Sequence, residues 1–215
     1  MSSLYVVATP IGNLEDITLR AIRILKEVDI ILCEDTRVAK KLLNHYEIVK
    51  PLLSYHSHST IKRADEIITL LSLGKDMALI SDAGTPCVSD PGGLLVRMVR
   101  DQLPQVKIVP IPGPSALTAA VSVAGIPFSE FVFLGFLPHK KGRNTLFQEI
   151  ADSDRTMIFY ESPHRILKTL ESLREFCGEE RRVVVARELT KVFEEITEHV
   201  PSVIKGEFVV VVAPK

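Results

Sequence analysis

Short apolar runs alternate with amphipathic segments along the first half of the chain, and this alternation constrains the fold more than any other feature. The runs, rich in β-branched residues, lie at residues 4–8, 29–33, 77–81 and 106–111. The segment between the first two runs places its apolar residues on one helical face, at Ile17, Ala21, Ile24, Leu25 and Val28. Because strands buried on both faces have continuous apolar sequences, the pattern predicts parallel βαβ units.

Proline and glycine become frequent at residues 110–127, where we place a domain boundary. Pro114 suits the first turn of a helix and Gly125 its end. Apolar runs start again at residues 131–134, 156–160, 183–186 and 208–212, and Ser162 and Pro163 are expected to cap and begin another helix. The prediction is an α/β protein with an N-terminal domain at 1–115, a C-terminal domain at 116–215 and a small-molecule cleft between them.

Charge and cysteine content exclude several classes of protein. The chain has 26 basic and 27 acidic residues, a net charge of −1, so any RNA contact must use local patches. No apolar run reaches the roughly 18 residues of a membrane span, and the N-terminus does not resemble a secretory signal. Three cysteines without a C-x-x-C pair argue against disulfides and a zinc knuckle. We therefore expect a cytoplasmic protein.

Four polar loops follow predicted strands, where open α/β sheets bind ligands. They lie at residues 8–14, 81–86, 112–115 and 160–165. The first three contain the Gly and small polar residues of a cofactor loop. The first also suits a plain strand-to-helix turn, the second a capped turn in which Asp82 or Ser81 bonds to nearby amides, and the third an interdomain linker. Five of the six residues at 160–165 have functional side chains, which packing alone rarely requires.

Three other polar clusters remain open to more than one interpretation. Glu34 and Asp35 beside Arg37 fit either an acid–base site or an internally neutralised ion cluster. His56 and His58 would supply half a metal site in an extended segment, but no third ligand is near, so we expect substrate contact and no metal. Residues 139–143 are the densest basic patch and suit contact with a phosphate backbone. The P-loop, G-x-S-x-G and H-E-x-x-H motifs are absent from the sequence.

Seven motifs in order resemble those of the rRNA small subunit methyltransferase I family, within the tetrapyrrole-methylase superfamily. They are ATPIGNL at 8–14, EDTR at 34–37, SDAGTP at 81–86, PGPS at 112–115, YESPHR at 160–165, ARELTK at 186–191 and KGEF at 205–208. The resemblance implies two successive αβα domains with S-adenosylmethionine in the cleft between them, usually as a homodimer. It further implies 2′-O-methylation of a cytidine ribose in the decoding region of 16S rRNA in the small ribosomal subunit.

The resemblance and the loops together give the candidate site residues. Expected cofactor contacts are Pro10, Ile11, Ser81, Asp82, Thr85, Gly113, Ser115, Ala116, Tyr160 and Ala186. Candidate proton acceptors for the ribose hydroxyl are Asp35, Glu34 and Glu161. Expected substrate contacts are Arg37, His56, Lys140, Lys141, Arg143 and Arg165.

Two other functions remain open for a chain with these motifs. A tetrapyrrole C-methylase of the same superfamily is disfavoured by the first turn and by the motif at 160–165, and a non-catalytic cofactor-binding module is the other alternative. The connection at 196–204 is shorter than in relatives, and Lys215 ends the chain without the basic extension of longer members. We therefore expect weak binding to naked rRNA fragments and methylation of an assembled small-subunit particle.

Overall fold

The computed structural model describes residues 2–56 and 61–215, and the chain divides into two compact units, Met1–Ser115 and Ala116–Lys215. Within the described part, no helix has the length and apolar character needed to cross a membrane. Each unit is an α/β structure built on its own five-stranded sheet.

The first unit has an entirely parallel sheet in the strand order β3-β2-β4-β1-β5. Its strands are β1 Ser3–Val7, β2 Ile30–Cys33, β3 Leu52–Ser54, β4 Met77–Leu79 and β5 Lys107–Ile111. Its helices are α1 Leu19–Glu27, α2 Thr36–His45, α3 Ile61–Ser72 and α4 Gly92–Gln102. The four strands that the sequence predicts are confirmed, and the short strand β3 was not predicted.

Helices cover both faces of this sheet. On one face, α1 and α2 pack against β1 and β2 through Leu25 and Leu43 among others. On the opposite face, α3 and α4 pack against β1 and β4 through Ile67 and Leu95. The side chain of Thr18 caps α1 by accepting a hydrogen bond from the Ala21 amide. The strands therefore read as continuous apolar runs because both faces are buried.

The second unit has a mixed sheet in the strand order β6-β7-β10-β8-β9. Its strands are β6 Phe131–Phe136, β7 Thr156–Glu161, β8 Val183–Arg187, β9 Glu195–Thr197 and β10 Phe208–Val212. Its helices are α5 Ala116–Val123, α6 Arg143–Asp152 and α7 Ile166–Cys177. Strands β6 and β7 are parallel, and the other pairs are antiparallel.

Helices also lie on both faces of the second sheet. On one face, α6 and α7 pack on the core through Phe147 and Leu173. On the other face, Leu117 of α5 lies beside Tyr160 of β7, and α5 also contacts β10. The αβα arrangement predicted for each half is therefore present.

Two helix starts differ from the sequence prediction. Helix α5 begins at Ala116, two residues after Pro114. Helix α7 begins at Ile166 because the carbonyl of Ser162 first accepts the amides of Arg165 and Ile166 in a turn. The Ser162 hydroxyl accepts a hydrogen bond from Arg165 Nε and does not cap the helix. The prediction of Ser162 and Pro163 as cap and first turn was wrong because this turn precedes the helix.

Candidate functional site

Three loops at the carboxyl ends of β1, β4 and β5 are joined into one cluster in the first unit. Thr9 and Gly84 exchange backbone hydrogen bonds of 3.0 and 3.1 Å, which link the first loop to the second. The Thr9 hydroxyl donates to the Ser81 carbonyl at 3.1 Å. Thr9 is buried, and the sequence analysis did not single it out. The available signal was a polar residue placed directly after an apolar strand.

The third loop approaches the other two through glycine. A Cβ on Gly113 would lie 3.0 Å from the Ala8 Cβ, and one on Gly84, whose φ is +83°, would lie 3.3 Å from Ile11 Cγ2. The Thr85 hydroxyl donates to the Pro114 carbonyl at 3.0 Å. The three turns therefore meet backbone to backbone, which a larger residue at these positions would obstruct.

This arrangement, which we call the loop cradle, brings together most of the predicted cofactor residues of the first unit. They are Pro10, Ile11, Ser81, Asp82, Thr85 and Gly113. Ser115 ends the first unit, and Ala116 is the first residue of α5 in the second.

Carboxylates gather beside the loop cradle, at the ends of β2 and β4. The Asp35 amide donates to Asp82 Oδ1 at 3.1 Å. Burial raises the pKa of Glu34 above its usual value, and the negative charges of Asp90 and Asp82 add to the shift. The pKa of Asp82 is raised chiefly by partial burial. Burial also raises the pKa of the Cys33 thiol to about 11, so this cysteine stays protonated at neutral pH.

Asp35 and Arg37 form a separate, internally neutralised pair. Asp35 caps α2 by accepting the Arg37 amide at 2.8 Å, and its second oxygen lies 2.6 Å from Arg37 Nη2. Hydrogen bonds from Arg37 lower the pKa of Asp35 to about 2. The Arg37 side chain is 87% exposed. Of the two interpretations left open by the sequence, the ion cluster describes Asp35 and Arg37, whereas Glu34 lies outside it.

The second loop continues into a strained turn before α4. Cys87 and Ser89 have φ values of +71° and +63°, which non-glycine residues rarely adopt. Asp90 holds this turn by accepting the amides of Cys87 at 2.8 Å and Gly92 at 2.9 Å. Backbone strain of this kind persists only where the surroundings enforce it.

In the second unit, an aromatic group surrounds Tyr160 at the end of β7. Phe133 and Phe136 contact its ring edge-on, with centroid distances of 4.9 and 5.5 Å. A register shift in β6 between these two phenylalanines turns both rings towards Tyr160. Burial raises the pKa of Tyr160. Ala186 lies buried within β8, opposite Val209.

Glu161 lies at the centre of a buried ion network. Its Oε1 is 2.7 Å from Arg165 Nη2 and accepts the Ser162 amide at 2.8 Å. Its Oε2 accepts the Thr169 hydroxyl at 2.8 Å and lies 3.5 Å from Arg143 Nη2. The Glu161 side chain has no exposed surface, so all its partners belong to the protein. Thr169, which the sequence analysis missed, also accepts a hydrogen bond from Arg143.

The remaining candidates differ in exposure. Lys140 and Lys141 are exposed, whereas the side chain of Arg143 is only 11% exposed. His56 is exposed after β3, and His58 lies outside the described residues, as do Ser57 and Ser59. In the ranges 2–56 and 61–215, no three His, Cys, Asp or Glu side chains are grouped to hold a metal ion.

The chain is similar to proteins of one family and one fold. The family described as Tetrapyrrole (Corrin/Porphyrin) Methylases matches residues 3–201. A Thermotoga maritima protein named "Ribosomal RNA small subunit methyltransferase I" is 51% identical over 195 residues, which cover 91% of this chain and 86% of that protein. A protein of the same name from Pseudomonas aeruginosa is 50% identical over 195 residues, covering 90% and 68% respectively.

The comparison with solved structures gives a matching fold. The crystal structure of the methyltransferase CobJ has a TM-score of 0.73 and 21% sequence identity, and the match covers 100% of this chain and 95% of that one. At this identity the likeness shows the fold alone. Together with the family match at residues 3–201, it confirms the predicted fold class, two αβα units of the tetrapyrrole-methylase type.

Proposed function

Since the chain belongs to the ribosomal RNA small subunit methyltransferase I family, we propose that it methylates the 2′-hydroxyl of a cytidine ribose in small-subunit rRNA, using S-adenosylmethionine. The observation that carries this proposal is identity of about half the residues over nine-tenths of the chain. The protein is a methyltransferase, and we place its action in the cytoplasm as a homodimer.

The loop cradle fits such a cofactor in its chemistry. Gly84 and Gly113 let the three turns approach closely, where any Cβ would crowd Ile11 or Ala8. Asp82 adds an acidic group to it, which suits a ligand with a sulfonium charge, an amino group and ribose hydroxyls. When bound, S-adenosylmethionine supplies an electrophilic methyl group, and its transfer leaves S-adenosylhomocysteine.

Of the three candidate proton acceptors, Glu34 is best supported. Asp35 is held by Arg37 with a pKa of about 2, which makes it a weak base. Glu161 is enclosed by its own partners. Glu34 is half-buried and its pKa is raised, so its carboxylate is the more basic group. We therefore assign Glu34 to take the proton of the ribose hydroxyl as the oxygen–carbon bond forms and the carbon–sulfur bond breaks.

Labelled cofactor tests the proposed reaction directly. We expect label from methyl-labelled S-adenosylmethionine to enter rRNA when the protein is incubated with assembled small subunits. Incorporation should be much lower with naked rRNA fragments and should not occur with uroporphyrinogen. Transfer to uroporphyrinogen in place of rRNA would instead identify a tetrapyrrole C-methylase. The absence of transfer to either acceptor, together with measurable cofactor binding, would favour a non-catalytic module.

Replacing Asp82 with Asn tests the loop cradle as the cofactor site. We expect this variant to bind S-adenosylmethionine at least about tenfold more weakly, because a carboxylate that pairs with polar ligand groups contributes about 1.5–3 kcal/mol. Asn still has an oxygen to accept the Asp35 amide, so the local structure should persist. Isothermal titration calorimetry measures the affinity. Asp65→Asn, on the exposed surface of α3, is the matched control, and equal affinities in the two variants would contradict the assignment.

A further inference from the structure

We propose that residues 136–142, which follow β6, form a preformed surface for an unpaired stretch of RNA, and that Glu161 is the positioning residue that holds it. We call this segment the RNA grip. In the grip, Phe136 stacks on a base, and Lys140 and Lys141 contact phosphates. The identity of the nucleic acid rests on the proposed function, whereas the grip itself rests on contacts within the second unit.

Phe136 presents an exposed aromatic ring with a fixed orientation. Phe136 is 57% exposed although it is a large apolar residue on a strand at the sheet edge. Tyr160 supports it from within the unit, since the two rings are in edge-on contact, and Phe133 packs against the same Tyr160 ring. A supported aromatic face on the surface suits stacking by an unpaired base, which every base permits.

The segment that contains Phe136 is also cationic. The sequence contains no Asp or Glu from residue 131 to residue 148, and this interval includes His139, Lys140, Lys141 and Arg143. His139, Lys140 and Lys141 are all exposed. In a chain of net charge −1, this is a local cationic surface next to an exposed aromatic ring. That combination is typical of single-stranded nucleic acid sites and favours RNA over a protein partner.

Buried side chains support the segment from beneath. Arg165 Nη1 donates to the Leu137 carbonyl at 2.8 Å, and Arg143 Nη1 donates to the Pro138 carbonyl at 3.0 Å. These two carbonyls lie between Phe136 and the lysines. Both guanidinium groups are anchored by Glu161. Through them, the carboxylate fixes the backbone that presents the aromatic ring and the lysines.

The network also changes the roles of two arginines. The sequence analysis expected Arg143 and Arg165 to contact the substrate. Their side chains are only 11% and 17% exposed, and their hydrogen bonds go to Leu137, Pro138, Ser162 and Thr169. We infer that they support the segment from within, and that Lys140 and Lys141 provide the phosphate contacts.

A single tryptophan tests the stacking. The chain contains no Trp, so Phe136→Trp places one fluorophore in the grip. Titration at low salt with a single-stranded RNA oligonucleotide should quench this fluorescence, and a duplex of the same sequence should not. Phe193→Trp, at another exposed phenylalanine, is the control and should stay unquenched. Phe136→Ala should weaken binding of a labelled oligonucleotide by about tenfold. No quenching at position 136, or equal quenching at 193, would overturn the proposal.

Salt dependence tests the phosphate contacts of the lysines, and variants of the buried ion network test the role of Glu161. In Lys140→Gln/Lys141→Gln, the slope of log affinity against log salt should fall by about 1.4, since each single-strand phosphate contact contributes about 0.7. Lys26→Gln/Lys62→Gln, with the same change in charge, should leave the slope unaltered.

Glu161→Gln and Arg165→Met should each reduce oligonucleotide affinity several-fold, although both variants retain Lys140 and Lys141. Unchanged affinity in whichever of these two variants folds would remove Glu161 from the grip.

These measurements are independent of methyl transfer. Quenching without label transfer to small subunits would leave the grip standing and contradict the proposed function. Label transfer to small subunits without quenching would support the proposed function and contradict the grip. A duplex that quenches as strongly as the single strand would show that the surface recognises phosphates alone, which also overturns the stacking role of Phe136.

Discussion

Glu34→Gln is expected to lower kcat for methyl transfer by about a hundredfold or more, because a positioned general base contributes about 10²- to 10⁴-fold. The amide keeps the size of the side chain but accepts no proton from the ribose hydroxyl. Cofactor affinity should change only a few-fold, since the loop cradle is built mainly from backbone groups of other loops. Single-turnover transfer of labelled methyl to small subunits, with calorimetry for the cofactor, separates the two effects.

Two comparison variants test whether the effect is specific to Glu34. Glu27→Gln, on the exposed surface of α1, carries the same chemical change away from the loop cradle and should transfer methyl at the normal rate. Asp35→Asn keeps an N-cap for α2 and should retain most activity. A large loss in Asp35→Asn with a normal rate in Glu34→Gln would reverse the assignment.

The pH dependence follows from the direction of the pKa shift. A base acts only when it is deprotonated, so the rate should rise with pH through the pKa of Glu34, which burial places above the usual value. Asp35, with a pKa of about 2, would give a rate that is already constant across the accessible acidic range. The acidic limb should disappear in Glu34→Gln.

The sequence predicts the central strands well because their residues are buried on both faces. Residues 208–212 are five consecutive apolar residues, and all of them are buried in β10. The two strands that were missed are three residues long and lie at sheet edges. Strand β3 contains only two apolar residues, and β9 has the sequence Glu-Ile-Thr. Their extended form depends on pairing with a neighbouring strand, which no local pattern records.

The candidate site is predictable to the extent that it lies at strand ends. Parallel strands bring their carboxyl ends to one edge, so the loops at 8–14, 81–86 and 112–115 were expected to meet. The environment of each carboxylate, in contrast, could not be predicted from the sequence. Glu34, Asp35 and Glu161 look alike in sequence, yet one is half-buried with a raised pKa, one is paired with Arg37, and one is fully enclosed. Burial depends on distant residues such as Thr169, eight positions beyond Glu161, so composition does not reveal it.

Glu161→Ala is expected to destabilise the protein by about 3 kcal/mol or more, because removing one partner of a buried ion network leaves the other charges uncompensated. Arg143 and Arg165 would lose their shared anion, and the Thr169 hydroxyl would lose one of its two acceptors. Urea unfolding measures the loss. Amide hydrogen exchange locates it, since protection should fall in β7 and β10 of the second unit and not in β1 or β4.

The control removes an exposed ion pair from the same unit. Arg182 and Glu198 lie 2.6 Å apart, with both side chains nearly half exposed. Glu198→Ala should change the urea midpoint little, because solvent screens such pairs. If Glu161→Ala were no more destabilising than Glu198→Ala, the network would be solvated in solution.

Replacing the whole charged trio distinguishes stability from position. Buried ion networks often contribute no more stability than apolar residues of similar size, because desolvation offsets their attraction. The triple variant Arg143→Met/Glu161→Leu/Arg165→Met should therefore recover most of the stability that Glu161→Ala loses. It has no donors for the Leu137 and Pro138 carbonyls, so the RNA grip should still bind single-stranded RNA several-fold more weakly. Recovered stability with weak binding would mean that the network serves chiefly to hold the segment in place. Recovery of both stability and RNA affinity would show that the network contributes to stability alone.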